Sequence, residues 1–289
     1  MQALRTQLDN GRWHFQHGPI DLVISADGDP IAIESALNAC WQRFGEILPE
    51  LVCELGVLRQ PLQRAQWMAS PVANRMLRAC WPHRAQFITP MAAVAGAVAD
   101  ELIGFFACQP AIKRASINNG GDIALYLSPG TSYQVGLISD TTQYTGVPQA
   151  SFTVSATLPV RGVATSGWRG RSMSLGIADS VTVLAETAAT ADAAATMIAN
   201  AVNAQHAAIR RAPAHTLKDD ADLGNLLVTT NVGELPLAVV EQALQQGEAH
   251  AQHLWRAGVI CAAHLALQGR TRSVGSMADK VRLPRAQAA

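Results

Sequence analysis

The apolar positions of the chain change period several times, and those changes lay out its elements. Arg12-Trp13-His14-Phe15 and Asp21-Leu22-Val23-Ile24 read as strands on either side of His17-Gly18-Pro19, predicting a hairpin over residues 11–25. After Asp27-Gly28-Asp29-Pro30 the period becomes helical. Ile33, Leu37, Cys40, Trp41, Phe44 and Leu48 share a face, and Pro49 is placed to end or kink the helix. Ser70-Pro71 and Thr89-Pro90 each set an N-cap oxygen before a proline at the first helical position. The second opens a run of small residues from Thr89 to Asp100 that lets backbone approach backbone or ligand closely.

Strand pattern returns at Ala115–Asn118 and Asp122–Leu127, flanking Asn118-Asn119-Gly120-Gly121, and Tyr133–Ile138 is expected to pair with the second of these across Pro129-Gly130. The order then repeats. Ser151–Leu158, Gly162–Thr165 and Ile177–Ala185 are predicted strands and Ala188–Ala204 a helix. A polar segment, Arg210–Asp222, interrupts the pattern before a strand at Leu226–Thr230 and helices at Leu235–Gln246 and Glu248–Leu267. The expectation is an α+β protein of two similar halves in one compact unit, residues 1–145 and 146–289, joined through Thr141–Gln149, rich in Thr, Gln, Gly and Pro.

Composition narrows the function classes. Of 289 residues 49% are hydrophobic and 15% charged, and the 22 basic and 22 acidic residues cancel. No basic excess marks a nucleic-acid binder, and no Lys/Arg cluster suits an anionic membrane surface. The five cysteines are widely spaced with no C-x-x-C pair, as expected of reduced thiols in a core. The N-terminal stretch has no continuous apolar h-region, so no signal peptide is expected. The apolar runs around Met91–Ala99 and Ala257–Leu267 are too short or are interrupted by Asp100 and His264, which excludes a bilayer span and leads to the expectation of a cytoplasmic protein. Apolar, alanine-rich helices make a homodimer the expected assembly.

Four segments carry candidate chemistry. Besides Thr89–Asp100, the paired glycines Gly120 and Gly121 suit either a hairpin turn or close approach to a ligand. Thr165-Ser166-Gly167 offers hydroxyl and amide donors at a strand end, for a phosphate or a plain turn, and Ser166 lacks the G-x-S-x-G context of a nucleophile elbow. Asp192 and Thr196 stand four apart among alanines. On a helix their oxygens share a face, a donor pair that suits Mg²⁺. The other reading is an exposed aspartate on an alanine-rich helix. His250, His253 and His264 are expected on one helix face, as surface or interface residues and not as a metal cluster. Asp219, Asp220 and Asp222 read as a solvated loop.

Taken together and in order, these segments resemble the ApbE-like superfamily, which includes magnesium-dependent enzymes that use FAD to flavinylate proteins. Ala95 to Asp100 stands where members carry a Lys-Gly-Tyr-Ala-x-Asp-like stretch, Asn118 to Asp122 matches an Asn-x-Gly-Gly-Asp turn, and Thr165-Ser166-Gly167 matches the next motif. Ser180-Val181-Thr182-Val183 and Ala191 to Thr196 match the last two, so the resemblance covers residues 88–200. It implies two T-fold-like halves, each an antiparallel sheet backed by helices. It also implies Asp192 and Thr196 as magnesium ligands with a backbone carbonyl near Ala92, and Asn119, Gly120, Gly121, Asp122, Thr165, Ser166 and Gly167 along a site for FAD or FMN. Ala95 replaces the family's lysine, and Arg169 and Arg171 offer guanidinium groups in its stead. The function implied is Mg²⁺-dependent flavin-nucleotide binding with FMN transfer or pyrophosphate hydrolysis. Two alternatives stay open. One is an enzyme of the same scaffold acting on a pterin, purine or pyridine-like ring, with Asp100, Glu101, Arg169, Arg171 and Asp192 as acid, base or anchor groups; the other is a non-catalytic subunit.

Overall fold

A computed structural model describes residues 2–137, 150–219 and 221–275, so the expected join at Thr141–Gln149 and Asp220 lie outside the described residues. In chain order the elements are β1 (Leu4–Gln7), β2 (Trp13–His17), β3 (Ile20–Gly28), α1 (Pro30–Leu58), α2 (Pro71–Cys80), α3 (Val94–Ala107), β4 (Ile112–Asn119), β5 (Asp122–Leu127) and β6 (Ser132–Leu137). They continue with β7 (Ala150–Ser155), β8 (Gly162–Ser166), β9 (Ser180–Ala185), α4 (Ala188–Ala201), β10 (Ile209–Pro213), β11 (Leu227–Val232), α5 (Leu237–Arg256), β12 (Ala262–Leu267) and β13 (Arg270–Gly275). The fold is α+β, with antiparallel sheets backed by helices.

Contacts group the chain into two units that interleave along the sequence. The first comprises Met1–Ser132, Ser155–Ala164 and Ala185–Ala193; the second comprises Tyr133–Val154, Thr165–Leu184 and Ala194–Ala289. This grouping differs from a division at residue 145, because the short segments 155–164 and 185–193 pack with the N-terminal part of the chain.

The first unit is an antiparallel sheet in the order β1-β2-β3-β4-β5-β8. Alternation drives one face of it inward: Ile20, Leu22 and Ile24 of β3 are buried, as are Ala115 and Ile117 of β4. Phe15 of β2 meets Trp41 edge-on at 5.0 Å and Phe44 at 5.6 Å, seating α1 on the sheet. Helix α3 lies against β4 and β5 and buries Leu102 and Phe106. The apolar stretch Pro90–Ala107 is long enough for a bilayer span by length and hydropathy alone; here it is a packed element whose Glu101 carboxylate binds Arg43 and Arg75.

Two expectations about this unit's helices are corrected. Helix α1 continues through Pro49 to Leu58. The buried stripe carries on in Leu51 and Leu58, and two carboxylates beyond the proline are anchored: Glu50 accepts from Arg43 and Ser70, and Glu54 from the Ala69 and Ser70 N–H groups. Those contacts outweigh the single backbone bond that Pro49 removes. Neither Ser70 nor Thr89 caps a helix with its side chain. The Ser70 hydroxyl is committed to Glu50, and Thr89-Pro90 starts a 3-10 turn, Pro90–Ala93, before α3 begins at Val94.

The second unit holds the antiparallel strands β9-β12-β13 with α5 packed on β12 and β13, the β10–β11 hairpin, and the pair β6–β7. Strand β6 therefore pairs with β7 and not with β5, whose two edges are taken by β4 and β8. The polar segment at 210–222 contributes β10, which alternation does not reveal because Arg210 and Arg211 occupy it. The two expected C-terminal helices are one helix followed by a strand. Gly247 lies inside α5, where a Cβ would sit 2.2 Å from Val202 Cγ2, so the glycine serves packing and breaks nothing. The helix ends in a Schellman motif: Gly258 (φ +71°) donates to the Trp255 carbonyl and Val259 to the Leu254 carbonyl. His264 consequently sits on β12, bonded to the Ser273 hydroxyl at 2.9 Å, away from the helix that carries His250 and His253.

Candidate functional site

In the first unit, the site forms where the N-terminal turns of α3 and α4 meet the β4–β5 hairpin. The small-residue run makes the meeting close. A Cβ on Gly96 would lie 2.3 Å from the Ala188 carbonyl oxygen, so only glycine lets the first turn of α4 reach α3. Asp192, one turn into α4, then accepts a hydrogen bond on Oδ2 from the Gly96 N–H at 3.0 Å. Asp100, one turn along α3, does the reverse: Oδ1 accepts from the Ala188 N–H at 2.9 Å and Oδ2 from the Ala189 N–H at 2.8 Å. The Thr187 hydroxyl accepts from the Thr190 N–H at 3.2 Å. Each helix thus presents to the other an acid that satisfies its orphan N–H groups and complements the positive end of its dipole.

The hairpin completes the surroundings. Asn119 and Asp122 pair across a two-residue turn in which Gly120 (φ +65°) and Gly121 (φ +117°) take the positive φ values such a turn requires. The Asn118 side chain accepts from the Gly121 N–H at 2.8 Å and so stiffens the turn. Buried Asn119 donates to the Ala95 carbonyl at 3.1 Å, tying the hairpin to the first turn of α3.

Electrostatics single out Asp192. Burial holds its carboxyl pKa well above the usual carboxylate range; the charge of Asp122 pushes the same way, and the Gly96 and Ala95 N–H groups oppose both. Asp100 is also raised, by burial first, with the Ala189 and Ala188 N–H groups opposing. Two neighbouring carboxylates in a desolvated corner favour either a proton or a cation between them. The carboxylates of Asp192 and Asp122 are oxygen donors of the kind a hard cation takes. No group of three or more His, Cys, Asp or Glu side chains forms a metal cage among the described residues, a requirement Mg²⁺ does not impose because it retains waters or phosphates. Cys80 belongs to the wall of this corner. Its thiol donates to the Thr89 and Pro90 carbonyls at 3.5 and 3.8 Å, and burial pushes its pKa well up, so it is a structural thiol.

The remaining sequence candidates lie in the second unit, around the end of β8. Thr165 and Thr182 share a hydrogen bond between their hydroxyls at 2.9 Å, which joins the Thr-Ser-Gly and Ser-Val-Thr-Val segments directly. A Cβ on Gly167 would meet the Asp179 carbonyl oxygen at 2.4 Å. The Asp179 carboxylate binds the Trp168 indole N–H at 3.1 Å and the Gln268 N–H at 2.6 Å. Arg169 lies over the Trp168 ring at 5.0 Å with its Nε 3.6 Å from Asp179, and Arg171 is exposed. Ser166 is half-buried between Thr165 and Gly167.

Sequence reasoning named Asp192, Asn119 and the glycine turn but missed what holds them. Gly96 was visible only as a member of a small-residue run and Asp100 only as its end and as an acid, base or anchor group, although their spacing of one helical turn was a signal for two contacts on one face. Asp179 carried no local signal, since its partners come from residues 168, 169 and 268.

A family model described as AbpE bacteria matches residues 4–273. A UPF0280 protein of Methanopyrus kandleri is 40% identical over 147 residues, 50% of this chain and 55% of that protein. Another from Methanothermobacter thermautotrophicus is 42% identical over 117 residues, 40% of this chain and 43% of its own. The chain thus matches about half the length of these curated relatives. Among solved structures, the apo form of the flavinyl transferase ApbE of Pseudomonas stutzeri is similar with a TM-score of 0.49 and 13% identity over 96% of each chain. The ApbE protein of Thermotoga maritima is similar with a TM-score of 0.46 and 13% identity, over 93% of this chain and 96% of that one.

Proposed function

This chain belongs to the AbpE bacteria family, and on that premise we propose that it binds a flavin nucleotide, FAD, through a magnesium ion held by Asp192. The observation that carries the reading is the Asp192 carboxylate. It is half-buried, braced by the Gly96 N–H and close to the charge of Asp122, and the groups that favour its charged form are backbone N–H groups and not a basic side chain. Thr196 and a carbonyl near Ala92 are the further oxygen donors that the family resemblance proposes, and waters or pyrophosphate oxygens would take the remaining positions. An ion held there supplies charge neutralisation on the pyrophosphate. The paired glycines leave open space beside Gly121, room for a ligand to approach the Asn119–Asp122 turn. In the second unit, Thr165, Ser166 and Gly167 are proposed to offer hydroxyl and amide donors to a nucleotide phosphate, with Arg171 as a cationic contact. The reaction would cleave the pyrophosphate, with AMP leaving and FMN passing to a Ser or Thr hydroxyl or to water.

Titration of the purified protein with FAD, followed by flavin fluorescence with and without Mg²⁺, tests the reading. Magnesium-dependent binding with release of AMP is expected, and Asp192→Ala should weaken binding by about tenfold or more, as loss of a metal ligand does. Equal FAD and Mg²⁺ binding by Asp192→Ala and wild type would rule the site out.

A further inference from the structure

We propose that Asp100 is a positioning residue for the cation site: it touches no ligand, yet it sets where the Asp192 carboxylate stands. The inference rests on the magnesium reading above and adds to it a residue outside the donor set.

Gly96 and Asp100 are one turn apart on α3, and Ala188 and Asp192 are one turn apart on α4. Each end of one turn is bonded to an end of the other. Asp192 reaches back to the Gly96 N–H at 3.0 Å, and Asp100 reaches across to the Ala188 and Ala189 N–H groups at 2.9 and 2.8 Å. Together with the contact of Gly96 on the Ala188 carbonyl, these bonds form a closed clasp. Within it α4 can neither slide nor rotate without breaking a carboxylate–amide bond. The two oxygens of Asp100 are both used, one per N–H, so the clasp needs a carboxylate of this length at this position. Closing it fixes the Asp192 carboxylate against the Gly96 and Ala95 N–H groups in the first turn of α3, and so fixes where a cation bound to it would stand. Mg²⁺ tolerates little deviation from its preferred geometry, so a shift of α4 is felt as lost affinity.

Mn²⁺ serves as the probe, titrated into the metal-free protein, with bound ion read by electron paramagnetic resonance. Far-UV circular dichroism checks that each variant is folded. Asp100→Asn, which keeps one acceptor oxygen, should weaken Mn²⁺ by about ten- to a hundredfold, the usual effect of losing a group that orients a ligand. Asp100→Glu keeps the charge but moves the carboxylate by one methylene, and positioning predicts a loss of the same order. Wild-type affinity in Asp100→Glu would leave only a charge effect and overturn the proposal. If both Asp100 variants bind as wild type while Asp192→Ala loses the ion, positioning falls and the magnesium reading stands. If Asp192→Ala binds as wild type, or wild type binds no Mn²⁺, the magnesium reading falls and takes positioning with it. Should the Asp100 variants not fold, hydrogen exchange in the wild-type protein decides. Mn²⁺ is then expected to slow exchange of the Ala188 and Ala189 amides along with Gly96, and slowing at Gly96 alone would overturn the clasp.

Discussion

Two glycines of α3 make opposite demands. At Gly96 a Cβ would press on the Ala188 carbonyl oxygen at 2.3 Å, whereas at Gly104 it would meet nothing within 4 Å. Gly104→Ala should therefore stabilise the protein by about 0.5–1 kcal/mol through helix propensity alone. Gly96→Ala gains the same propensity but must separate two backbones, and the expected outcome is a net loss of about 1–3 kcal/mol, typical of overpacking. Urea denaturation of both variants checks the pair. A Gly96→Ala midpoint at or above wild type would mean that α3 and α4 are further apart than described. The sequence showed a run of small residues and with it the expectation of close approach, but not which glycine makes it. That choice depends on Ala188, some ninety positions away, and no local pattern encodes it.

Among the elements, α1 runs on past a proline that locally signals its end. Pro49 is a valid local stop signal, and what overrides it is tertiary: the Arg43 guanidinium binds Glu50 at 2.8 Å and Glu101 at 3.0 Å, while Arg75 binds Glu101 at 3.1 Å. This network ties α1 to α3 and, through Ser70 and Arg75, to α2. It also has a pH signature. The Arg43 hydrogen bond holds the Glu50 carboxyl below its ordinary 4.5, so the folded state binds the Glu50 proton less readily than the unfolded chain. Its stabilisation is complete above that ordinary value and is lost as pH falls through the lowered one. Because Glu50 is one-third exposed, solvent screening limits the effect to about 1 kcal/mol. Arg43→Met should be less stable than wild type at pH 7 by about that amount, and the gap should narrow as pH is lowered from 5 toward 3. A gap independent of pH in thermal melts would assign the loss to packing of the arginine stem instead. The Schellman end of α5, by contrast, was legible: Trp255-Arg256-Ala257-Gly258 is a helix-stop pattern, and reading on to Leu267 let apolar periodicity override a stronger signal.

At the scale of the whole molecule, the α+β class and most of the element order as far as α4 were readable from hydrophobic period, while β1, β10, β12 and β13 were not. The grouping of those elements was not, because period says which face is buried and nothing about which distant segment covers it. The first unit illustrates the difference. Its sheet is completed on the far side of β5 by β8, through the pairs Ile123↔Val163 and Ala124↔Gly162 and a bond from the Leu125 N–H to the Arg161 carbonyl at 2.8 Å. Its site is completed by the first turn of α4, where Gly162 packs on Thr187 so closely that a Cβ would lie 2.1 Å from the Thr187 carbonyl. A fragment ending at residue 145 would leave the β5 edge unpaired, Asp100 without the Ala188 and Ala189 amides, and Gly96 without Asp192. Such a fragment should lack a cooperative urea transition by circular dichroism, and adding a separately made 146–289 fragment should restore one. Extending the first fragment to residue 193 supplies both missing segments in one chain, and that longer piece should unfold cooperatively by itself or with a far smaller requirement for its complement. A cooperative transition in the 1–145 fragment alone, as sharp as that of the 1–193 fragment, would mean that β8 and the clasped turn of α4 add nothing to the first unit's stability; their contribution would then be confined to placing Asp192.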